Sequence, residues 1–229
     1  MKVVFSDDDI AVIIKPPWVS SQSMPDGHGV PDILKSQMNC MISPVHRLDA
    51  ATSGLMVYAK SKRAASEISR DIVTGCFYKE YIALVHGVPS PKVGEYEDLL
   101  YHDVVKNRSF VVQRERKSVR RALLTYETVN TVKTESGDVS IVRIYPKTGR
   151  THQIRVQFAT REMPLVGDKK YGAKDNENRL ALCCRRLDFK HPTTGEDLTF
   201  IIPSSEIEIL DSVRKKPSAA AEKQRADEN

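Results

Sequence analysis

The stretch from His46 to Lys60, HRLDAATSGLMVYAK, joins a polar loop to an apolar run. Leu55 to Ala59 has the uninterrupted hydrophobic character of a buried strand, and His46, Arg47 and Asp49 lie just before it. A loop that leads into a buried strand can hold a carboxylate rigidly at the mouth of a cleft. A single loop aspartate is more often a turn former or a salt-bridge partner, so this stretch alone establishes no function.

On either side of this stretch, the hydrophobic pattern predicts short strands alternating with helices. Two β-branched runs separated by three aspartates, within residues 3–19, are typical of two strands joined by a tight turn. Apolar residues at helical spacing predict helices after Pro31, between a Ser61 cap and a Gly75 terminator, and over residues 150–161. Further strands are predicted at Leu55–Ala59, Tyr78–Val85, Ser140–Tyr145, Leu180–Leu182 and Leu198–Ile202, with extended chain over residues 106–132. Because strands outnumber helices, the pattern predicts a mixed sheet with helices packed against it.

The composition is that of a globular protein. The chain has 229 residues, of which 40% are hydrophobic and 28% charged, and its longest apolar runs are too short to cross a bilayer. The first ten residues turn acidic where a signal peptide needs an apolar core, so we expect a cytoplasmic protein with no membrane association. Residues 214–229 contain no aromatic or branched apolar side chain, which predicts a disordered basic tail after a single domain over residues 1–213.

Positive charge is concentrated in two blocks. Residues 105–121 and residues 143–174 each carry a net charge of +6, whereas the chain as a whole carries +5. Such blocks favour a surface for a polyanion, although a solvated cationic face that binds nothing is the alternative. If the first block contacts such a polyanion, the candidate residues are Arg114, Arg116, Lys117, Arg120 and Arg121.

Cysteine spacing argues against a metal centre. The four cysteines, Cys40, Cys76, Cys183 and Cys184, show no C-x-x-C pair, so a zinc site is not expected. We expect four reduced thiols that pack as small side chains.

Five motifs follow one another along the chain, and together they resemble the RluA-type pseudouridine synthases. They are HRLDAATSGL at 46–55, YKEYIALVHG at 78–87, TGRTHQIRVQFA at 148–159, VGDKKYG at 166–172 and RLALCCRRLDF at 179–189. The resemblance extends from about Asp7 to Pro203. It implies an α+β fold: a mixed, mostly antiparallel central sheet with flanking helices and a catalytic cleft.

The resemblance also implies an isomerase that converts uridine in ribosomal or transfer RNA to pseudouridine. The bond from ribose C1′ to uracil N1 breaks, the base turns, and C5 is joined to C1′, so no cofactor or metal is expected. Asp49 corresponds to the essential carboxylate. Three routes remain open: attack of the carboxylate at C1′, addition to the ring, or proton abstraction from the ribose.

Four further residues, Arg155, Arg47, Tyr81 and Leu182, correspond to family positions at the site. Arg155 matches the arginine that pairs with the catalytic carboxylate through a charge-assisted hydrogen bond, and Arg47 matches the arginine that enters the RNA stack when the uridine flips out. Tyr81 matches the tyrosine that stacks on the base and is placed to handle the C5 proton, with Tyr78 as the competing position.

Under the uracil ring we expect Leu182, or alternatively Leu180. His46 is expected to organise the loop, and Asp168 and Tyr171 to form a structural turn. The pair Cys183 and Cys184 replaces the His-Ala that is common in the family, so the function of that histidine is absent or substituted.

Two rival functions are consistent with parts of the sequence. A non-catalytic RNA-binding protein on the same fold would keep the basic blocks but would be free to lose Asp49, Tyr81 and Arg155, all of which are present. A metal-dependent nuclease could use His46, Asp49, His152 and Asp168, but no compact ligand motif accompanies them. We therefore expect a stand-alone, monomeric RNA-modifying enzyme.

Overall fold

The computed structural model describes residues 1–134 and 137–214. Its strands are β1 Lys2–Ser6, β2 Ile10–Lys15, β3 Ser43–Pro44, β4 Ser53–Ala59, β5 Tyr78–His86, β6 Val93–Asp103, β7 Arg108–Val112, β8 Val119–Thr134, β9 Gly137–Pro146, β10 Leu182–Lys190 and β11 Asp197–Ile201. Its α-helices are α1 Val30–Met38, α2 Lys62–Thr74, α3 Gln153–Ala159 and α4 Asp211–Arg214. The predicted tail, 214–229, lies outside the described residues except for Arg214, which ends α4.

The strands form one mixed sheet. The order is β1-β2-β4-β10-β5-β9-β8-β6-β7, with β11 added on β10 and β3 on β4. Neighbouring strands are antiparallel except for β4 and β10, which are parallel. The predicted α+β architecture is confirmed. Among the described residues, no helix has the length and apolar character needed to cross a membrane.

Local sequence signals account for most of the element boundaries. Ser61 caps α2 by accepting a hydrogen bond from the backbone of Ala64, and Gly75 ends that helix in the left-handed conformation, as predicted. The prediction at Leu180–Leu182 is wrong in extent, because the strand begins at Leu182 and continues to Lys190. The sequence pattern also missed β6, whose acidic residues hide its alternation.

The centre of the sheet places the polar loop of residues 46–52 against β10. Ser53 and Gly54 at the start of β4 pair with Cys183 and Cys184 of β10. Gly54 has a φ of +117°, and a Cβ atom there would lie 2.3 Å from the Cys184 carbonyl oxygen. Only glycine permits this approach, which brings the loop and the two central strands β10 and β5 together.

Candidate active site

A cleft of about 620 Å³ crosses the sheet at this point. The loop before β4 forms one side, the segment from Pro146 to Arg155 forms another, and β5 and β10 contribute side chains between them. Such a volume is within the range of roughly 300–1,000 Å³ that small-molecule sites occupy. The lining includes Arg47, Asp49, Thr52, Lys79, Tyr81, Arg150, His152, Arg155 and Leu182.

Hydrogen bonds from the segment after β2 fix the polar loop. The fully buried ammonium of Lys15 donates to the Ala50 carbonyl at 3.0 Å and to two carbonyls of its own loop at 2.7 and 2.9 Å. The backbone N–H of Trp18 also donates to Ala50, at 2.6 Å, and the Ser21 hydroxyl donates to the Leu48 carbonyl at 2.9 Å. The backbone on both sides of Asp49 is therefore held from behind the cleft.

Asp49 is the carboxylate that this loop presents to the cleft. Its side chain is 17% exposed, and its Oδ2 lies 3.7 Å from Arg155 Nη1 and 3.8 Å from His152 Nε2. Burial raises the pKa of Asp49 above its ordinary value, and the charges of Arg155, Arg47 and Lys15 counteract that rise. The result is a desolvated carboxylate that nearby cations stabilise as an anion.

Arg155 has a closer partner than the sequence predicted. Its Nε and Nη2 donate to the two oxygens of Asp168, both at 2.7 Å, and the Asp168 side chain is completely buried. The predicted hydrogen bond from Arg155 to Asp49 is corrected to a longer ion-pair contact, because 3.7 Å exceeds hydrogen-bonding distance. The interpretation of Asp168 as a turn residue is also incomplete. A buried arginine requires a buried carboxylate, but nothing in the sequence indicates which carboxylate supplies it.

His152 lies beside Asp49 as a neutral ring. Burial, with the charge of Arg155, lowers the pKa of His152 to about 3. Its Nδ1 is 3.0 Å from the Tyr171 hydroxyl, which accepts a hydrogen bond from the Ser109 backbone at 2.8 Å. Tyr171 is thus part of a buried support under the site, and sequence reasoning considered His152 only as a metal ligand.

The cleft lining distinguishes the alternatives that the sequence offered at β5 and β10. Tyr81 and Leu182 both line the cleft. Tyr78 instead packs against Tyr145, with ring centroids 6.0 Å apart, and Leu180 is buried outside the lining. The geometry therefore favours Tyr81 and Leu182 as the candidate substrate contacts.

His46 organises the loop, as expected. Its Nε2 accepts a hydrogen bond from the Val57 backbone at 3.1 Å, and burial lowers the pKa of His46 well below its ordinary value. The ring is therefore neutral and carries its proton on Nδ1. Within residues 1–134 and 137–214, no three His, Cys, Asp or Glu side chains are grouped so as to hold a metal ion, so the ligand set of the nuclease hypothesis is not assembled.

The first basic block borders the cleft. Its loop between β7 and β8 and the start of β8 expose all five candidate residues, Arg114, Arg116, Lys117, Arg120 and Arg121. Arg150, which lines the cleft, donates to the Arg121 carbonyl at 3.0 Å and so joins the block to the site. Arg121 itself is paired with Glu97 at 2.6 Å.

Much of the charge in the second block is internally paired. Arg143 contacts Glu127 at 3.2 Å, and Arg161 contacts Asp98 at 2.9 Å. Both acidic partners lie outside residues 143–174, so these two pairs neutralise part of the net charge of that segment, whereas the pair of Arg155 with Asp168 is already counted in it. The net charge of this segment therefore includes cations that already have protein partners.

Comparisons with known proteins are consistent with this geometry. The chain is 34% identical over 170 residues to a protein of Buchnera aphidicola named ribosomal large subunit pseudouridine synthase C. The aligned region covers 69% of this chain and 52% of that protein. The chain therefore spans about half the length of that relative. It is 29% identical over 219 residues to tRNA pseudouridine synthase C of Haemophilus ducreyi, covering 87% of this chain and 89% of that protein.

A solved structure and a family match agree with these relatives. Human RNA pseudouridylate synthase domain containing 1 shares the fold, with a TM-score of 0.75 at 22% identity, covering 95% of this chain and 96% of that one. Residues 9–160, more than half of the chain, match the RNA pseudouridylate synthase family. Four of the five ordered motifs line the cleft, and the fifth supplies Asp168, which binds Arg155. The chain belongs to that family, as the RluA-type resemblance predicted, and is an RNA pseudouridine synthase.

Proposed function

We propose that this enzyme isomerises specific uridines of structured ribosomal or transfer RNA, with Asp49 as the essential carboxylate, a flipped target base and no cofactor. The observation that carries the proposal is the position of Asp49, partly exposed in the cleft and close to Arg155. The two relatives named for ribosomal and transfer RNA support these RNA classes as substrates.

The environment of Asp49 suits reaction at an anomeric carbon. Cleavage of the glycosidic bond develops positive charge at C1′, which an adjacent anion stabilises. Burial leaves the carboxylate poorly hydrated, while Arg155 and Arg47 favour its ionised form. Each of the three routes, attack at C1′, addition to the ring or abstraction of a ribose proton, uses this ionised carboxylate.

Tyr81 is proposed to support the base by stacking. Its ring lines the cleft, and burial raises the pKa of its hydroxyl well above the ordinary value. The hydroxyl is therefore protonated when the substrate binds, and it could take the C5 proton only after losing its own. These properties favour stacking over direct removal of the C5 proton.

Arg47 and the basic block are proposed to hold the RNA around the flipped nucleotide. Arg47 is exposed at the edge of the cleft, where a planar cation can stack in the gap that the uridine leaves. Arg150 joins the Arg121 end of the basic block to the cleft, and the exposed cations of that block are proposed to contact the phosphates that flank the target.

Mapping of modified uridines tests this function directly. RNA from a strain that lacks the gene is compared with RNA from the parent by carbodiimide treatment, which marks pseudouridine. The proposal predicts at least one ribosomal or transfer RNA site that is lost in the deletion strain and restored by purified enzyme after dialysis against EDTA. No lost site, or restoration only with added metal, would contradict it.

A further inference from the structure

Lys79 is a cation in the cleft that has no role in the function proposed so far. It lines the cleft from β5, two residues before Tyr81, so both side chains project from the same face of the strand. Its ammonium lies 5.7 Å from the centre of the Phe77 ring. Burial lowers the pKa of Lys79, as expected for an ammonium removed from water.

The Lys79 ammonium lacks a protein partner in the part of the chain that the structure describes. It makes no hydrogen bond there and has no carboxylate oxygen within 4 Å, and its neighbours are the Cys184 thiol and the neutral ring of His46. Lys79 is half-buried in the cleft wall, so its charge is partly removed from water and faces the space that a ligand would occupy. By contrast, Lys15, which is fully buried, has three carbonyl acceptors. A group from the substrate is therefore the natural partner of Lys79.

The position of Lys79 relative to Asp49 indicates which part of the substrate it meets. Tyr81 is within electrostatic reach of Asp49, and Lys79 lies further along the same strand face. A uracil stacked on Tyr81, with its C1′ at Asp49, would lie in the cleft on the strand face that also carries Lys79.

The chemistry of the reaction places an anion at this point. When the bond between C1′ and N1 breaks, its electron pair stays on the uracil and is delocalised over N1 and the two carbonyl oxygens. The new bond from C5 to C1′ takes up an electron pair of this anion, the C5 proton leaves, and N1 gains a proton, so atoms and charge balance. A nearby ammonium in a poorly solvated site stabilises the detached base.

We propose that Lys79 donates a hydrogen bond to a carbonyl oxygen of the target uracil and stabilises the negative charge that the base carries while it is detached. The proposal rests on the proposed function, because it requires a uridine in this cleft. A contact from Lys79 to an RNA phosphate is the alternative that the experiment must separate.

The first test compares Lys79→Met and Lys79→Arg with wild type on an in vitro transcript that contains the mapped uridine. Lys92→Met, at an exposed lysine in the loop before β6, is the matched control. Lys79→Met should lower the single-turnover rate at saturating RNA by about a hundredfold, with an unchanged Kd and salt dependence. Lys79→Arg should restore part of the rate, and Lys92→Met should match wild type.

The second test replaces uridine in the transcript by 5-fluorouridine. Fluorine makes the uracil a better leaving group, so the detached base depends less on a stabilising cation. The fluorine at C5 cannot be lost as the proton is, but the base detaches before that step, so detachment can still be measured. The ratio of the wild-type rate to the Lys79→Met rate is measured on each transcript. This ratio should be at least about tenfold smaller for consumption of 5-fluorouridine than for isomerisation of uridine. An equal loss on both transcripts would overturn the proposal.

Other outcomes are equally decisive. A Lys79→Met enzyme that turns over normally, or one that loses only affinity together with a reduced salt slope, overturns the proposal, and the latter result indicates a phosphate contact. Removal of a half-buried charge that has no protein partner among the described residues should leave the melting temperature unchanged or raised, and Lys79→Gln provides a second neutral variant if Lys79→Met is unstable. If wild type modifies no uridine, the proposed function itself fails, which is distinct from a failure confined to Lys79.

Discussion

Arg155 binds Asp168 through two hydrogen bonds of 2.7 Å and extends its remaining guanidinium nitrogen to within 3.7 Å of Asp49 Oδ2. One buried arginine thus links a structural carboxylate to the carboxylate proposed to act on the substrate. The planar, forked guanidinium is suited to this geometry, because it can satisfy one carboxylate in a bidentate manner and still present charge to another.

Asp168→Asn should damage both stability and activity. The variant leaves Arg155 charged in a buried site without its bidentate acceptor, and such breaks cost about 3–5 kcal/mol in the free energy of unfolding. Urea denaturation measures the loss. Asp197→Asn, which removes an exposed partner of Lys190, should change the free energy of unfolding by less than about 1 kcal/mol. Equal stabilities for the two variants would show that the Arg155 pair is unimportant.

The activity should have an acidic limit set by Asp49. Burial raises the pKa of Asp49 from 3.8, and the reaction needs the ionised form, so the single-turnover rate should fall as the pH decreases through a value above 3.8. Arg47→Ala removes a charge that lowers this pKa and should shift the limit to higher pH. The pH profile, with RNA folding checked at each pH, measures the shift. An Arg47→Ala limit at or below that of wild type would contradict the assignment.

Arg47→Ala should also lower the single-turnover rate at saturating RNA more than it lowers RNA affinity. The side chain is proposed to occupy the gap left by the flipped nucleotide, so its loss destabilises the flipped state after the RNA has bound. Single-turnover rates at saturating RNA and Kd values from filter binding separate the two effects. A loss of affinity with a normal saturated rate would instead identify Arg47 as a simple phosphate contact.

Neutralising the exposed basic loop should weaken RNA binding and flatten its salt dependence. The triple variant Arg114→Gln, Arg116→Gln and Lys117→Gln should lower the log-log salt slope by roughly 0.7–0.9 for each phosphate contact that is lost. Arg143→Gln, which removes a cation already paired with Glu127, is the control and should retain the wild-type slope. Identical slopes for the triple variant and wild type would favour a solvated surface that does not touch RNA.

The sequence predicted the elements that have local signals. Three signals each act over a few residues: the Ser61 cap and the Gly75 terminator of α2, and the apolar run of β4. Both elements are present. The strand β6 was missed because Asp98 stands between Tyr96 and Leu100 on its apolar face, although pairing with β8 organises it. This segment is a strand because it pairs with a strand that is distant in sequence, and such pairing leaves no signal in the local sequence.

The motifs predicted which residues form the candidate site, but not the contacts that these residues make. The motifs selected Asp49, Tyr81 and Arg155, and the structure brings all three to one cleft. The partnership of Arg155 with Asp168, and the unpartnered state of Lys79 among the described residues, depend on contacts between distant segments. Charge counting also could not show which cations of the second block are already paired.

The central claim is that ionised Asp49 is essential for isomerisation. Asp49→Asn keeps the side-chain shape and removes the charge, and because burial raises the pKa of Asp49 in the folded protein, loss of the anion should not destabilise the fold at neutral pH. The decisive measurement is tritium release from RNA labelled at uridine C5, with RNA affinity and melting temperature recorded on the same preparations. The account predicts a folded variant that binds RNA like wild type and releases no tritium above background, whereas substantial turnover by Asp49→Asn would contradict it.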